Sequence, residues 1–331
     1  MQADPQLIQD TGDAGSHDIA ALTAELIRTD RTSGARRAAP EALRAVSIAR
    51  RKAQGSHTLS GGALAALAEL FQVAAWILFD AERHGLSRAL SHQALNLSRR
   101  LPEDQRSIEL LVLSVLCLQQ EHLGFPGGSL HISSSVLAGK DLPERVAAIF
   151  HVREARAHAQ LQQRKKALWS LNAAEEFLSE EPSERDPSWT WWFDRTEFTG
   201  HQGLAHAALG NLKTAASHLY EAAAAPGGAP AYRSLFSTEL GAALARAGAW
   251  READAWLSTL VESVPRIGSV RSLNSLARTT RIIKQGRSVP RTLRNTNRHL
   301  AELLQQQKAC AHAGSRASRA GSASLPESPH G

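Results

Sequence analysis

Cysteine, methionine, tyrosine and long apolar runs are all scarce in this chain, and each shortage removes a class of protein. Two cysteines in 331 residues, Cys117 and Cys310, lie nearly 200 positions apart, which is no disulfide framework and fits a reduced, cytoplasmic setting. No stretch approaches the roughly 18 uninterrupted apolar residues of a membrane helix, and "MQADPQLIQD" lacks a basic segment followed by an apolar one, so no membrane partner is expected. The phosphate-cradling GxxxxGK, the GxSxG elbow, paired CxxC motifs and the His-Glu zinc helix are missing too. These gaps leave an enzyme without named catalytic residues, and neither a metal nor another cofactor is expected. β-Branched and aromatic residues are also sparse, which argues against sheet.

Ala, Leu, Arg, Glu and Gln fill the space instead, and 43% hydrophobic content is enough for a large core. The predicted fold class is all-α. The net charge of +6 is unevenly placed. From Arg266 to Lys308 ten basic residues face one acid, Glu302, the tail adds one positive charge, and residues 1–265 carry a net −4. Residues 1–16 and 309–331 are polar, Gly- and Ser-rich, and are predicted to be disordered because they bury too little surface to offset ordering entropy. Residues 17–61 form leading helices that cap a longer helical array. Ala20–Thr29 and Glu41–Ala53 are amphipathic, separated by "RTSGARRAAP", with Pro40 placed to open the second.

A longer period runs through residues 62–265. "QGLAHAALGNLKTAASHLYEAAAAP" (202–226) alternates small residues at Gly203, Ala205, Ala215 and Ala222 with larger ones at His206, Leu209, Leu212 and Leu219. Thirty-eight residues later "LGAALARAGAWREADAWLSTLVESVP" (240–265) repeats the spacing. Two helices approach closely only where one contributes Gly or Ala and the other fills the gap, so each copy is a helical hairpin. Gly210 and Gly248 fall where the turn needs an unusual backbone. Weaker copies occupy 154–174, where Gln162 replaces the turn glycine, then 116–136 and 74–95. Stacked, they predict a right-handed superhelix of tetratricopeptide-like hairpins with one concave face, followed by basic helices over 266–308.

This pattern resembles the tetratricopeptide repeat. The stretches "ALAELFQVAAWILFDAERHGLSRALSHQAL", "VREARAHAQLQQRKKALWSLNAAEE", "DPSWTWWFDRTEFTGHQGLAHAALGNLKTAASHL" and "VRSLNSLARTTRIIKQGRSVPRTLRN" are similar to the C-terminal sensor region of actinobacterial transcriptional regulators with an N-terminal Cro/repressor-type helix-turn-helix domain. The likeness spans Asp18 to Leu304. It implies a regulatory or sensing module, here without the DNA-binding domain, which speaks against direct operator binding. The expected function is recognition of a peptide, small signal or protein partner in transcriptional or developmental control, with homo-oligomers allowed. Two alternatives stand beside it: a nucleic-acid-binding protein using the basic 266–298 segment, and a biosynthetic-pathway enzyme or accessory on a repeat scaffold.

Candidate contacts come from that register. "SWTWWFD" (188–194) concentrates four of the chain's 17 aromatic residues in five positions. Its rings either close the interface between hairpins or, at Trp191 and Trp192, form an apolar platform in the groove. The groove-facing positions are Arg156, Gln160, Glu197 and Arg246, with His201 at the edge, a set that can hold polar or carboxylate groups. Arg278, Arg281, Arg291 and Arg294 are candidates for phosphate or an acidic partner. His151, Glu154 and His158 share a helix face, but no further ligand is spaced to complete a metal site.

Overall fold

The computed structural model describes residues 5–54, 60–103, 107–139, 141–178, 183–226 and 230–322, and no strand occurs among them. The helices are α1 (Pro5–Ser33), α2 (Ala35–Gln54), α3 (Gly61–Asp80), α4 (His84–Ser98), α5 (Ser107–His122), α6 (Pro126–Leu137), α7 (Glu144–Gln160) and α8 (Arg164–Phe177). A 3-10 turn over Ser188–Trp192 precedes α9 (Arg195–Ala208), α10 (Leu212–Ala224), α11 (Pro230–Arg246), α12 (Trp250–Val261), α13 (Val270–Gln285) and α14 (Arg291–Ser322). The expected all-α fold is the fold observed.

Each tight connection from α3 onward turns on one residue with positive φ: Glu82, Gly124, Gln162, Gly210, Gly248 and Ser288. Gly210 and Gly248 are 38 residues apart, as are Gly124 and Gln162, so the repeat period survives where the glycine does not. Gln162 keeps its place through a side-chain hydrogen bond from Nε2 to the Ala208 carbonyl at 2.9 Å, which offsets the cost of a left-handed backbone.

Within the hairpins the small-large pairing is literal. A Cβ at Gly203 would lie 2.7 Å from Leu219 Cγ, and one at Gly241 would lie 2.8 Å from Leu257 Cδ2. Those two pairs occupy equivalent positions of successive hairpins. The odd-numbered helices form an inner row in which α3 packs on α5, α5 on α7, α7 on α9, α9 on α11 and α11 on α13. Their even-numbered partners stand outside.

The ends of the row meet. α1 packs against α3 and also against α11. Gly34, with φ +74°, comes so near Gly268 that an added Cβ would sit 2.5 Å from the Gly268 Cα. The Arg36 N–H donates to the Gly268 carbonyl at 2.9 Å. Asp80 Oδ1, at the end of α3, accepts from Ser269 Oγ at 2.8 Å and from Arg271 Nε at 3.0 Å, at the start of α13.

Four expectations are corrected. The leading helices do not merely cap one end; α1 packs against both α3 and α11, and the α1–α2 break meets the chain just ahead of α13. The break between them is Gly34 alone, and Pro40 lies inside α2 rather than at its start. The helical stretches reach into both predicted disordered ends, from Pro5 in α1 and to Ser322 in α14, since extending an anchored helix costs far less than nucleating one; residues 1–4 and 323–331 lie outside the described residues. Gly61–Asp80 is, by length and composition, apolar enough to cross a membrane, yet 72% of its apolar window is buried inside the fold. Glu69 and Gln72 interrupt the run, yet its mean hydropathy stays at 1.8, and α3 is a core helix touched by its neighbours on several sides.

Candidate functional site

The inner row and α1 enclose a chamber of about 410 Å³, within the range of small-ligand sites. Its apolar wall comes from Ile27 of α1, Val73 and Trp76 of α3, Leu111, Val115 and Leu118 of α5, Leu235 and Phe236 of α11, and Trp189, Trp191 and Trp192 of the 3-10 turn. The "SWTWWFD" segment thereby divides its labour. Phe193 is wholly buried between hairpins, while the tryptophans face the chamber. Trp189 is fixed by a hydrogen bond from Nε1 to the Ser107 carbonyl at 3.1 Å. Trp191 is half exposed and meets the Arg31 guanidinium of α1 at 5.1 Å from the ring centre.

The polar part of the wall comes chiefly from Glu69, Gln72 and Asp80 of α3, Arg153 of α7, Glu197 and His201 of α9, and Arg271 and Ser272 of α13. Arg153 is entirely buried, the largest such side chain among the described residues, and it lines the chamber. Its guanidinium lies 5.9 Å from the Trp192 ring centre. Its Nε and Nη2 have no hydrogen-bond partner, and Gln72 Oε1, also of the chamber lining, is likewise unpartnered. Burial lowers the Arg153 pKa to about 10, so it remains cationic near neutrality.

His201 sits behind Arg153 with Arg156 Nη1 at 3.0 Å from Nδ1 and Glu197 Oε1 at 3.4 Å from Nε2. Burial, reinforced by Arg156 and Arg153, holds its pKa well below the ordinary histidine value. A neutral ring has one lone pair. With Nδ1 accepting from Arg156, the Nε2–H faces Glu197, and the 3.5 Å approach of Arg153 Nη1 to Nε2 meets a donor instead of an acceptor. Arg153 is thus left with almost no acceptor for its five N–H groups. Glu197 is pushed up to about 7, chiefly by burial; the quarter of its side chain that stays accessible borders the chamber. Behind this layer Arg156 Nε contacts Glu121 Oε2 at 3.0 Å, and Glu121 also accepts from Ser129 Oγ at 3.0 Å.

Of the sequence-predicted residues, Trp191, Trp192, Glu197 and His201 come together at the chamber. Arg156, Gln160 and Arg246 do not line it. Gln160 Nε2 donates to the Glu121 carbonyl at 3.2 Å and Arg246 Nη2 to the Ala207 carbonyl at 3.0 Å. Both tie an inner helix to the end of the preceding one. Helix ends leave carbonyls without intrahelical partners, and a long polar side chain one repeat on is placed to satisfy them.

Sequence reasoning missed Gln72, Trp76, Arg153 and Arg271. Arg271 lies over the rings of Phe79 and Trp76, at 4.9 and 5.4 Å from their centres. The only signal was a charged residue among the apolar positions of α7, in "AAIFHVREARAHA" (147–159). In the basic segment, Arg278 Nη2 donates to Glu239 Oε1 at 2.8 Å, while Arg281, Arg291 and Arg294 are exposed on α13 and α14.

No metal group was expected, and the His151 face has turned to other uses: His158 Nδ1 meets Gln163 Oε1 at 2.6 Å. Glu82, His84 and His122 do cluster, with ligand atoms within 4.8 Å of one another. Glu82 is contacted by His122 Nε2 at 3.0 Å and His84 Nε2 at 3.2 Å. Hydrogen bonds from His122 above all hold its pKa down to about 2. With both Nε2 atoms directed at that carboxylate, the cluster forms a clasp between the α3–α4 turn and the end of α5, and His84 Nδ1 is left without a hydrogen-bond partner.

No protein-family model matches the chain, and no curated protein matches it. Among solved structures, the chain is similar to BtubC (BKLC) from P. vanneervenii at 20% identity and a TM-score of 0.44, over 76% of this chain and 93% of that one. A likeness at that level carries no argument about function.

Proposed function

We propose that this chain is a non-enzymatic regulatory protein of tetratricopeptide-like hairpins that binds a peptide end or small signal in its central chamber, acting in transcriptional or developmental control. The regulatory context rests on the sequence resemblance. Recognition in the chamber rests on one observation: the inner helices and three tryptophans surround about 410 Å³ lined by a fully buried arginine whose Nε and Nη2 have no hydrogen-bond partner. Burying such a group empty is costly, and a ligand that pairs with it recovers the cost. Titration of the full chain with the uncharged dye N-phenyl-1-naphthylamine, read by energy transfer from tryptophan, is expected to saturate at one site. The signal should vanish in Val73→Trp, which fills the chamber. Absence of saturable binding, or binding that Val73→Trp leaves intact, sinks the reading.

A further inference from the structure

Resting on that reading, we infer that the chamber selects an aromatic organic anion, its acidic group held by Arg153 and its ring held among Trp76, Trp189 and Trp192. Arg153 offers Nε and Nη2 on adjacent corners of a planar fork, both without acceptors, which is the geometry that takes a carboxylate or sulfonate through two parallel hydrogen bonds. Among the described residues no carboxylate forms an ion pair with it. Glu121 is turned to Arg156 and Ser129, and Glu197 faces His201. The cation therefore sits in a built site where Glu121 and Glu197 are turned to other partners, while Asp30, Glu69 and Asp80 lie elsewhere along the chamber wall.

The apolar walls decide the rest of the ligand. Trp192 already lies 5.9 Å from the Arg153 guanidinium, so a flat ring attached to the acidic group is carried onto indole surface. Gln72 Oε1, buried and unpartnered on α3, supplies one acceptor for an N–H or O–H of the ligand. A phosphate ester of a bulky sugar fits less well, because beyond Arg153 the wall is largely apolar. A chamber of about 410 Å³ suits a ligand with two or three fused or linked rings.

The test uses a matched pair of dyes sharing one ring system, 8-anilinonaphthalene-1-sulfonate and uncharged N-phenyl-1-naphthylamine, titrated into the full chain at pH 7. The anion should bind about tenfold more tightly than the neutral dye, as a charge-assisted hydrogen-bonded pair requires. Arg153→Met should erase that preference while the neutral dye still binds. Equal affinities in the parent protein, or a preference that survives Arg153→Met, overturn the inference and leave the chamber reading standing; failure of both dyes overturns the chamber reading itself. Should Arg153→Met not fold, displacement on the unaltered protein decides the matter. 1-Naphthoate, and not 1-naphthylmethanol, should compete with the neutral dye, and equal competition overturns the inference.

Discussion

Glu197 shows how a single side chain couples the chamber to pH. Burial raises its pKa to about 7, so the folded protein holds a proton that the unfolded chain releases near 4.5. Its contribution to stability is therefore present below the unfolded value and is lost as pH rises through about 7. The groups facing it are Arg153 of α7, which with Arg271 of α13 and Arg156 favours the carboxylate, together with Asp194, which opposes it, and the neutral His201. Once ionised, Glu197 competes with any bound anion for Arg153. Affinity for 8-anilinonaphthalene-1-sulfonate should fall several-fold from pH 6 to pH 8, and Glu197→Gln should flatten that dependence. A slope unchanged in the variant refutes the assignment. The repeat register placed this residue on the groove side, but its raised pKa was not legible in the sequence, since the arginines that face it lie 40 to 75 positions away.

Between elements, the decisive contacts are the glycines that let paired helices touch. Gly203 faces Leu219 across α9 and α10, and Gly241 faces Leu257 across α11 and α12. Gly203→Ala forces a methyl group into a space already filled, and about 1–3 kcal/mol of stability should be lost, seen as a lower Tm. Leu219→Ala leaves a cavity on its own. Combined, the two changes should cost less than their sum by at least about 0.5 kcal/mol, because each relieves the defect of the other. Strict additivity would show that the pair does not touch. This layer was legible in the sequence: the 38-residue period and the small-large alternation identified both pairs. The break between α1 and α2 was misplaced because Pro40 is a helix-opening signal by local rules, whereas Gly34 is set by backbone contact with Gly268, which no local rule contains.

For the molecule as a whole, closure of the helical row decides whether there is a chamber at all. The joint consists of Gly34 against Gly268, the Arg36 N–H on the Gly268 carbonyl, and Asp80 receiving hydrogen bonds from Ser269 and Arg271. Gly34→Val strains a left-handed backbone and collides with backbone that has no rotamer to yield, so it should open the joint. Hydrogen exchange should then rise together in α1 and at the start of α13, with α9 and α10 little changed, and dye binding should weaken. Faster exchange confined to residues 33–36 would show that the joint does not hold the ends together.

The all-helical fold, the hairpin period and its turn positions follow from the sequence alone, because helix propensity, left-handed turns and small-large packing act over a few residues or one repeat. The chamber and its arginine were decided by tertiary structure. Arg153 is one of 31 arginines in the chain, and only the meeting of α3, α7, α9 and the tryptophan turn leaves it buried with Nε and Nη2 unpaired. An open groove and a closed ring can share one repeat pattern; the choice between them depends on where α1 docks, and that contact joins residues more than 200 positions apart.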